Sequence, residues 1–169
     1  TGGLQLYGAN KFWNGTKGAG IATLIRLSAV TEIRVEQGFA DVAPANATTI
    51  VNVASAAFNS AVSAAVYLYD HTGSTTTSGL YTIGTSNAYG AVATTTNRYD
   101  SAAVLFVALE INGTTVQLWL GDGSRATVAA TSAFTAADGV VPFIGIKTAS
   151  GSKNVDVDTI WTWTLDRQG

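Results

Sequence analysis

The chain has 169 residues, no cysteine and a formal net charge of -2. A chain of this length can bury roughly 70% of its unfolded surface, so we expect one domain with a core that needs no disulfides. Charged residues make up only 12% of the chain, and the nine Lys and Arg residues form no cluster. The charge pattern therefore argues against nucleic-acid and anionic-membrane partners. Without cysteine, any metal site would need oxygen ligands.

Residues 1–20 combine Gly, Asn and Lys with a few aromatic side chains. This composition is typical of a loop with aromatic anchors, and the short apolar run at 4–7 predicts an opening strand. We therefore expect an N-terminal arm that packs on a single β-sandwich domain formed by residues 21–169.

Short segments of alternating residues follow this arm. They predict strands at 21–27, 32–39, 49–53, 66–69, 80–83 and 89–95. In the second of these, Glu32, Arg34 and Glu36 point outward, while Ile33 and Val35 point inward. Residues 54–65 fit a strand, a loop or one helical turn, and residues 71–79 predict an exposed polar loop.

The segment 104–122 carries the clearest pattern in the chain. Asn112-Gly113 lies between two alternating runs, and both residue types tolerate the positive φ of a two-residue hairpin turn. This turn would place Ile111 opposite Thr114 and Phe106 opposite Trp119. One face of the hairpin would then be apolar and buried, with the residues Leu105, Val107, Leu109, Val116, Leu118 and Leu120.

Further strands are predicted at 126–130, 142–147 and 154–165. The last is amphipathic, so its alternate residues should share one face. These are Val155, Val157, Thr159, Trp161, Trp163 and Leu165, set against Asp156, Asp158, Ile160, Thr162 and Thr164. Many short strands without a convincing helix predict an all-β, two-sheet antiparallel β-sandwich.

Four stretches carry a resemblance to a known family: EIRVEQGFAD, ALEINGTTVQLWLGDG, VPFIGIKT and VDVDTI. In their order and spacing they resemble the concanavalin A-like lectin/glucanase jelly roll, of the kind found in bacteriophage capsid decoration, fibre or tail proteins. The resemblance spans about residues 21–165 and implies a jelly-roll fold that hosts lectins, glycosidases, lyases and virion domains.

Catalysis by two carboxylates is the first chemistry that this resemblance raises. Retaining glycosidases of the fold use two glutamates flanking an aspartate on one strand. Glu32 and Glu36 echo that spacing, but Arg34 stands where the aspartate belongs and would hold both glutamates ionised. We expect a solvent-facing charge row and no enzymatic activity. The single histidine, His71, is given no role.

Calcium is the one cofactor that the sequence allows, since its ligands are carboxylates and carbonyls. Asp158, in VDVDTI, matches a final-strand aspartate that some members of the family use as a ligand. Asp41 follows a strand and would approach from a loop. No other cofactor is expected.

Aromatic residues on half-exposed faces are the candidates for binding. Sugar rings stack their C–H faces on aromatic rings, and Phe106 with Trp119 would form a flat cross-strand patch. Phe12 and Trp13 of the arm are candidate docking residues. The same four side chains would serve equally as a protein interface.

The sequence therefore predicts a non-catalytic virion structural protein that acts through contacts with a capsid or tail protein, with weak glycan adhesion. The alternative is a secreted or adhesin carbohydrate-binding, lectin-like module. A low-charge surface favours a homo-oligomer, with a trimer as the best guess. The expected location is the virion surface, or otherwise the extracellular space.

Overall fold

Every regular element in the described part of the computed structural model is a β-strand. The structure describes residues 3–7, 13–14, 18–41, 51–52, 57–58, 64–72, 77–83, 91–94, 104–112, 115–121, 125–129, 139–151 and 153–164. The strands are β1 (Gly3–Tyr7), β2 (Trp13–Asn14), β3 (Ala19–Leu27), β4 (Ile33–Ala40), β5 (Val51–Asn52), β6 (Ala57–Phe58), β7 (Ala64–Asp70), β8 (Thr77–Ile83), β9 (Ala91–Thr94), β10 (Val104–Asn112), β11 (Thr115–Leu120), β12 (Arg125–Ala129), β13 (Gly139–Thr148) and β14 (Val155–Thr164). No helix among these residues is long and apolar enough to cross a membrane.

The strands form two main antiparallel sheets. The larger sheet has seven strands, ordered β1-β13-β4-β7-β8-β9, with β2 also paired to β13. The smaller sheet has five strands, ordered β12-β11-β10-β3-β14, and β5 pairs with β6. The predicted all-β sandwich is confirmed. Residues 54–65 fit a strand, a loop or one helical turn in the sequence, and the described positions among them form strands. The sequence predicts an exposed loop at 71–79, but Thr77–Gly79 belong to β8.

The core lies between the two sheets. The hairpin of β10 and β11 contributes its predicted apolar face: Val107, Leu109, Val116, Leu118 and Leu120 are buried, and Leu105 is partly buried against them. Alternation along each strand thus identified the buried face correctly.

The register of this hairpin differs from the predicted one. Ile111 pairs with Val116 and Asn112 pairs with Thr115, so Asn112 belongs to the strand rather than to the turn. Because the pairing moves by two positions, each side chain stays on its predicted face while its cross-strand partner changes. Trp119 therefore faces Ala108, and the expected direct pair of Phe106 and Trp119 is wrong.

The larger sheet is buried on its second face as well. Val51 of β5 packs there in a separate apolar cluster, together with Ala40, Ala64, Val66, Leu68 and Phe143. All eight residues of β4 are buried as a result. This layer explains why the outer face of β4, which alternation assigns to solvent, is buried.

One polar side chain crosses the core between the sheets. Gln37 of β4 donates from Nε2 to the carbonyl of Val107, at 3.0 Å, and its Oε1 accepts from the hydroxyl of Thr23. Gln37 and Thr23 are fully buried. The two partners lie on β10 and β3, which are neighbours at the centre of the smaller sheet.

The described part of residues 1–20 adds strands to the larger sheet. Both β1 and β2 pair with β13, while β3 begins at Ala19. Pro142 lies inside β13 rather than at its start, opposite Phe39 of β4. On the other edge of β13, β1 pairs from Phe143 onward and β2 only with residues 139–140. Among the described residues, Pro142 therefore has no partner on that edge, where a proline interrupts no ladder.

Candidate functional site

The outer face of the smaller sheet, which points away from the core, carries four aromatic side chains. Pairing places Phe106 of β10, Trp119 of β11, and Trp161 and Trp163 of β14 on this face. The strands between them contribute small residues, Gly20 and Ala22 of β3 and Ala108 of β10. We call these seven residues the aromatic face.

One row across the sheet shows the shape of this face. Trp119, Ala108, Ala22 and Trp161 are consecutive Cα partners on β11, β10, β3 and β14. A strand spacing of ~4.8 Å places the two tryptophan Cα atoms ~14 Å apart. Trp161 is 45% exposed and Trp119 is half-buried. The row is therefore a shallow trough with aromatic walls and a floor of alanine.

Trp163 lies directly over the floor of the next row. A Cβ atom on Gly20 would be 1.9 Å from Cε2 of the Trp163 ring, so only glycine leaves room for the indole there. The same edge of the ring is held by a hydrogen bond, because Nε1, which is bonded to Cε2, donates to Oε2 of Glu110 at 3.3 Å. The half-buried Trp163 thus has a defined orientation on the sheet surface.

A β-bulge places the two tryptophans of β14 on this face. Val155 and Val157 pack against the core, but the register shifts between Val157 and Thr159, leaving Asp158 without a partner on β3. One extra residue reverses the direction of every side chain after it. Trp161 and Trp163 consequently point outward, which strict alternation along 154–165 missed.

The sequence held a signal for this switch. Ile160 interrupts the otherwise polar positions of the strand, and Asp158, two residues before it, is a poor strand residue. Ile160 lies on the opposite face from Trp161 and is 43% exposed, because β14 is an edge strand.

The four predicted binding residues fall in different places. Phe106 and Trp119 share the aromatic face, although Phe106 approaches Gly121 rather than Trp119, with a hydrogen bond from the Gly121 amide to the Phe106 carbonyl. Trp13 lies on β2 in the larger sheet. Phe12 lies outside the described residues.

A pocket continues the aromatic face at one end. Its volume is about 600 Å³, and its lining includes Leu24, Arg26, Val104, Asp156 and Asp158. Arg26 Nε donates to Asp156 Oδ2 at 3.0 Å, and a second guanidinium nitrogen donates to the same oxygen. Both side chains are about half exposed, so this ion pair borders an open cavity.

The predicted charge row on β4 is buried, so the expectation of a solvent-facing row is wrong for Arg34 and Glu36. Arg34 NH1 lies 2.7 Å from Asp70 Oδ2 on β7, and Arg34 Nε lies 3.1 Å from Glu36 Oε1. The Val51 amide donates to Glu36 Oε1 at 2.9 Å, and Arg34 donates to the Val51 carbonyl. Strand β5 therefore closes over an ion triad of Arg34, Glu36 and Asp70.

Glu32 is separated from this triad. It precedes β4 with a φ of 58°, is exposed, and its carboxylate accepts a bond from Lys153 at 3.5 Å. Hydrogen bonds from Ser150 and Lys153 hold the pKa of Glu32 below its usual value. Glu32 and Glu36 thus do not face a common surface, as a pair of catalytic carboxylates must.

The two predicted calcium ligands lie in different sheets. Asp41 is buried at the end of β4, whereas Asp158 is exposed at the bulge of β14, where its carboxylate accepts from the Thr159 hydroxyl at 3.1 Å. Within the described ranges, no group of three or more His, Asp or Glu side chains is placed to hold a metal ion. Calcium binding stays a prediction.

Comparison with known proteins identifies the fold. The sequence matches no protein family and no curated protein. Solved structures that resemble it include the carbohydrate recognition domain of Emp46p in its potassium-bound form, with 9% identity, a TM-score of 0.65 and coverage of 95% of this chain and 77% of that one. A β-1,3-glucanase from Mycobacterium marinum has 15% identity, a TM-score of 0.60 and coverage of 95% and 74%. Chicken galectin 2 has 9% identity, a TM-score of 0.53 and coverage of 94% and 97%.

These neighbours show the fold: the chain is a jelly-roll β-sandwich, similar to the galectin, the carbohydrate recognition domain and the glucanase in the arrangement of its strands. At such low identities the likeness is one of fold, so the function has to be argued from the site.

Proposed function

We propose that the protein is a non-catalytic, lectin-like carbohydrate-binding module whose binding surface is the aromatic face. The observation that carries this proposal is the row of Trp119, Ala108, Ala22 and Trp161, with Trp163 fixed beside it over Gly20. Rigid sheet strands hold these rings, so little conformational entropy is lost when a ligand stacks on them.

The chemistry of the face matches that of a sugar chain. A pyranose has apolar C–H faces, which stack on indole rings, and hydroxyls around its edge, which need hydrogen-bond partners. Glu110 and Gln117 are half-buried cross-strand partners on this face and supply acceptors and a donor. Lectins and glucanases share the fold, which agrees with this reading.

Replacing Trp161 with alanine should weaken glycan binding at least tenfold, which corresponds to about 1.4 kcal/mol. The matched control is Ile160→Ala. Ile160 is the adjacent residue, is 43% exposed against 45% for Trp161, and lies on the opposite face. Titration calorimetry with oligosaccharides that a glycan array identifies would measure both variants.

Equal losses in Trp161→Ala and Ile160→Ala would contradict the assignment of this face, since they would indicate a general effect on β14. A wild-type protein that binds nothing on the array and none of the insoluble polysaccharides would contradict carbohydrate binding itself.

We also expect no glycoside cleavage, because Arg34 interrupts the carboxylate row and Glu36 is covered by Val51. Incubation with β-glucans, alginate and cell-wall glycans should release neither reducing ends nor unsaturated products. Turnover that disappears in a folded Glu36→Gln variant, but persists in Glu32→Gln, would show that the buried triad is a catalytic site.

The virion setting stays a prediction. A docked homo-oligomer, with a trimer as the best guess, on a capsid or tail would be compatible with glycan adhesion at the virion surface, and an extracellular module would be compatible with it equally. Fold and aromatic face support the carbohydrate-binding role in either setting.

A further inference from the structure

The pocket at the end of the aromatic face offers a polar contact that the tryptophans do not. Along β3, Ala22, Leu24 and Arg26 follow one another on the outer face, and along β14 their partners are Trp161, Thr159 and Asp156. Four residues of strand correspond to ~13 Å, roughly the length of two or three linked pyranose rings. A sugar chain stacked on Trp161 and running along β3 therefore reaches the pocket.

The ion pair in this pocket has unused hydrogen-bonding capacity. Both contacts between Arg26 and Asp156 go to a single carboxylate oxygen, Oδ2. Within the described part of the chain, Oδ1 of Asp156 and NH1 of Arg26 have no side-chain partner. Both groups therefore remain available to a ligand. Neighbouring hydroxyls of a sugar can use an acceptor and a donor together, since each hydroxyl both donates and accepts.

The charge of the surroundings restricts the ligand further. The described lining combines one cation, Arg26, with two anions, Asp156 and Asp158. Glu110 adds a further carboxylate on the aromatic face. The register places two arginines on this outer face. Arg125 is the partner of Trp119 on β12, at the far edge of the sheet, whereas Arg26 lines the pocket and is already paired with Asp156. A uronate or a sialic acid would meet net negative charge, whereas a neutral sugar would not.

We propose that this pocket is a subsite that recognises adjacent hydroxyls of a neutral sugar through Arg26 and Asp156, and that it selects neutral over acidic glycans. The proposal rests on glycan binding by the aromatic face. It adds the class of ligand and the residues that distinguish neutral from acidic glycans.

The test compares the affinities of wild type and Asp156→Ala for two sets of oligosaccharides. The neutral set comes from β-glucan and xylan, and the acidic set comes from alginate and polygalacturonate. EDTA is present to exclude a metal bridge. Wild type should prefer neutral ligands, and Asp156→Ala should bind them about five- to tenfold more weakly. Thr162→Ala is the control, because Thr162 is exposed on the opposite face of β14. The double variant Asp156→Asn, Asp158→Asn should reduce the discrimination against the acidic oligosaccharides.

Failure of the subsite and failure of the proposed function give different results. Binding that depends on Trp161 but is unchanged in Asp156→Ala overturns the subsite alone. A wild-type preference for the acidic oligosaccharides overturns its charge selection. No binding to these oligosaccharides, to any glycan on the array or to the insoluble polysaccharides overturns both proposals. Because the pair is exposed, thermal melts should show Asp156→Ala folded as stably as wild type.

Discussion

Arg34→Met should destabilise the fold by about 3–5 kcal/mol, the usual effect of removing one partner from a buried ion pair. The guanidinium lies between the carboxylates of Glu36 and Asp70 and also donates to the Val51 carbonyl. Methionine fills similar space but supplies neither charge nor donor. Two buried carboxylates would then lose the cation between them, and β5 would lose its bond to β4. Urea unfolding followed by tryptophan fluorescence measures the change.

The chain provides a matched control in its second Arg–Asp pair. Arg26 and Asp156 make a similar contact, but their side chains are 52% and 58% exposed. Exposed pairs contribute about 0–1 kcal/mol, so Arg26→Met should unfold at nearly the wild-type urea concentration. Equal stability of the two variants would mean that the buried triad does not hold β5 to the larger sheet.

Leu118→Ala should cost about 2–5 kcal/mol, because it removes a fully buried side chain from the core and leaves a cavity. Leu118 has no exposed surface and faces Leu109 across the hairpin. The same denaturant experiment reports the loss.

Val104→Ala serves as the comparison for this substitution. Val104 begins the neighbouring strand β10 and is 57% exposed, so its truncation should change the free energy of unfolding by less than about 0.5 kcal/mol. A Leu118→Ala variant as stable as Val104→Ala would contradict the assignment of the core face.

The sequence predicted the faces of the hairpin but not its pairing. Alternation depends only on each strand's own pattern, so Leu109 and Leu118 could be assigned to the core without knowing their partners. Register depends on the turn, and a shift of two positions preserves every face while changing every pair. Asn112-Gly113 is a strong turn signal, yet Asn112 is the last residue of β10.

The candidate site was predicted only in part for a similar reason. Phe106 and Trp119 lie before any irregularity in their strands, and their outward direction followed from alternation. Trp161 and Trp163 lie after the bulge at Asp158, and a single unpaired residue was enough to separate them from Val155 and Val157, with which they were predicted to share a face.

The burial of Arg34 and Glu36 could not be predicted from β4 alone. Their direction, away from the sandwich core, was correct. The layer that covers them comes from Val51, which lies fifteen residues after Glu36 in the chain. The sequence predicts a short strand at 49–53, but nothing in that pattern indicates that the strand returns across the larger sheet.

The polar link of Gln37 lies directly beneath the aromatic face. Its two partners, Thr23 and Val107, are each the chain neighbour of a floor alanine, Ala22 and Ala108. The amide therefore ties the two floor strands to β4 from the core side. Apolar contacts are not directional, whereas this hydrogen-bonded bridge has a defined geometry and helps to fix the offset between the two sheets. The trough should consequently keep one width with and without a ligand, and binding should proceed without a slow conformational step.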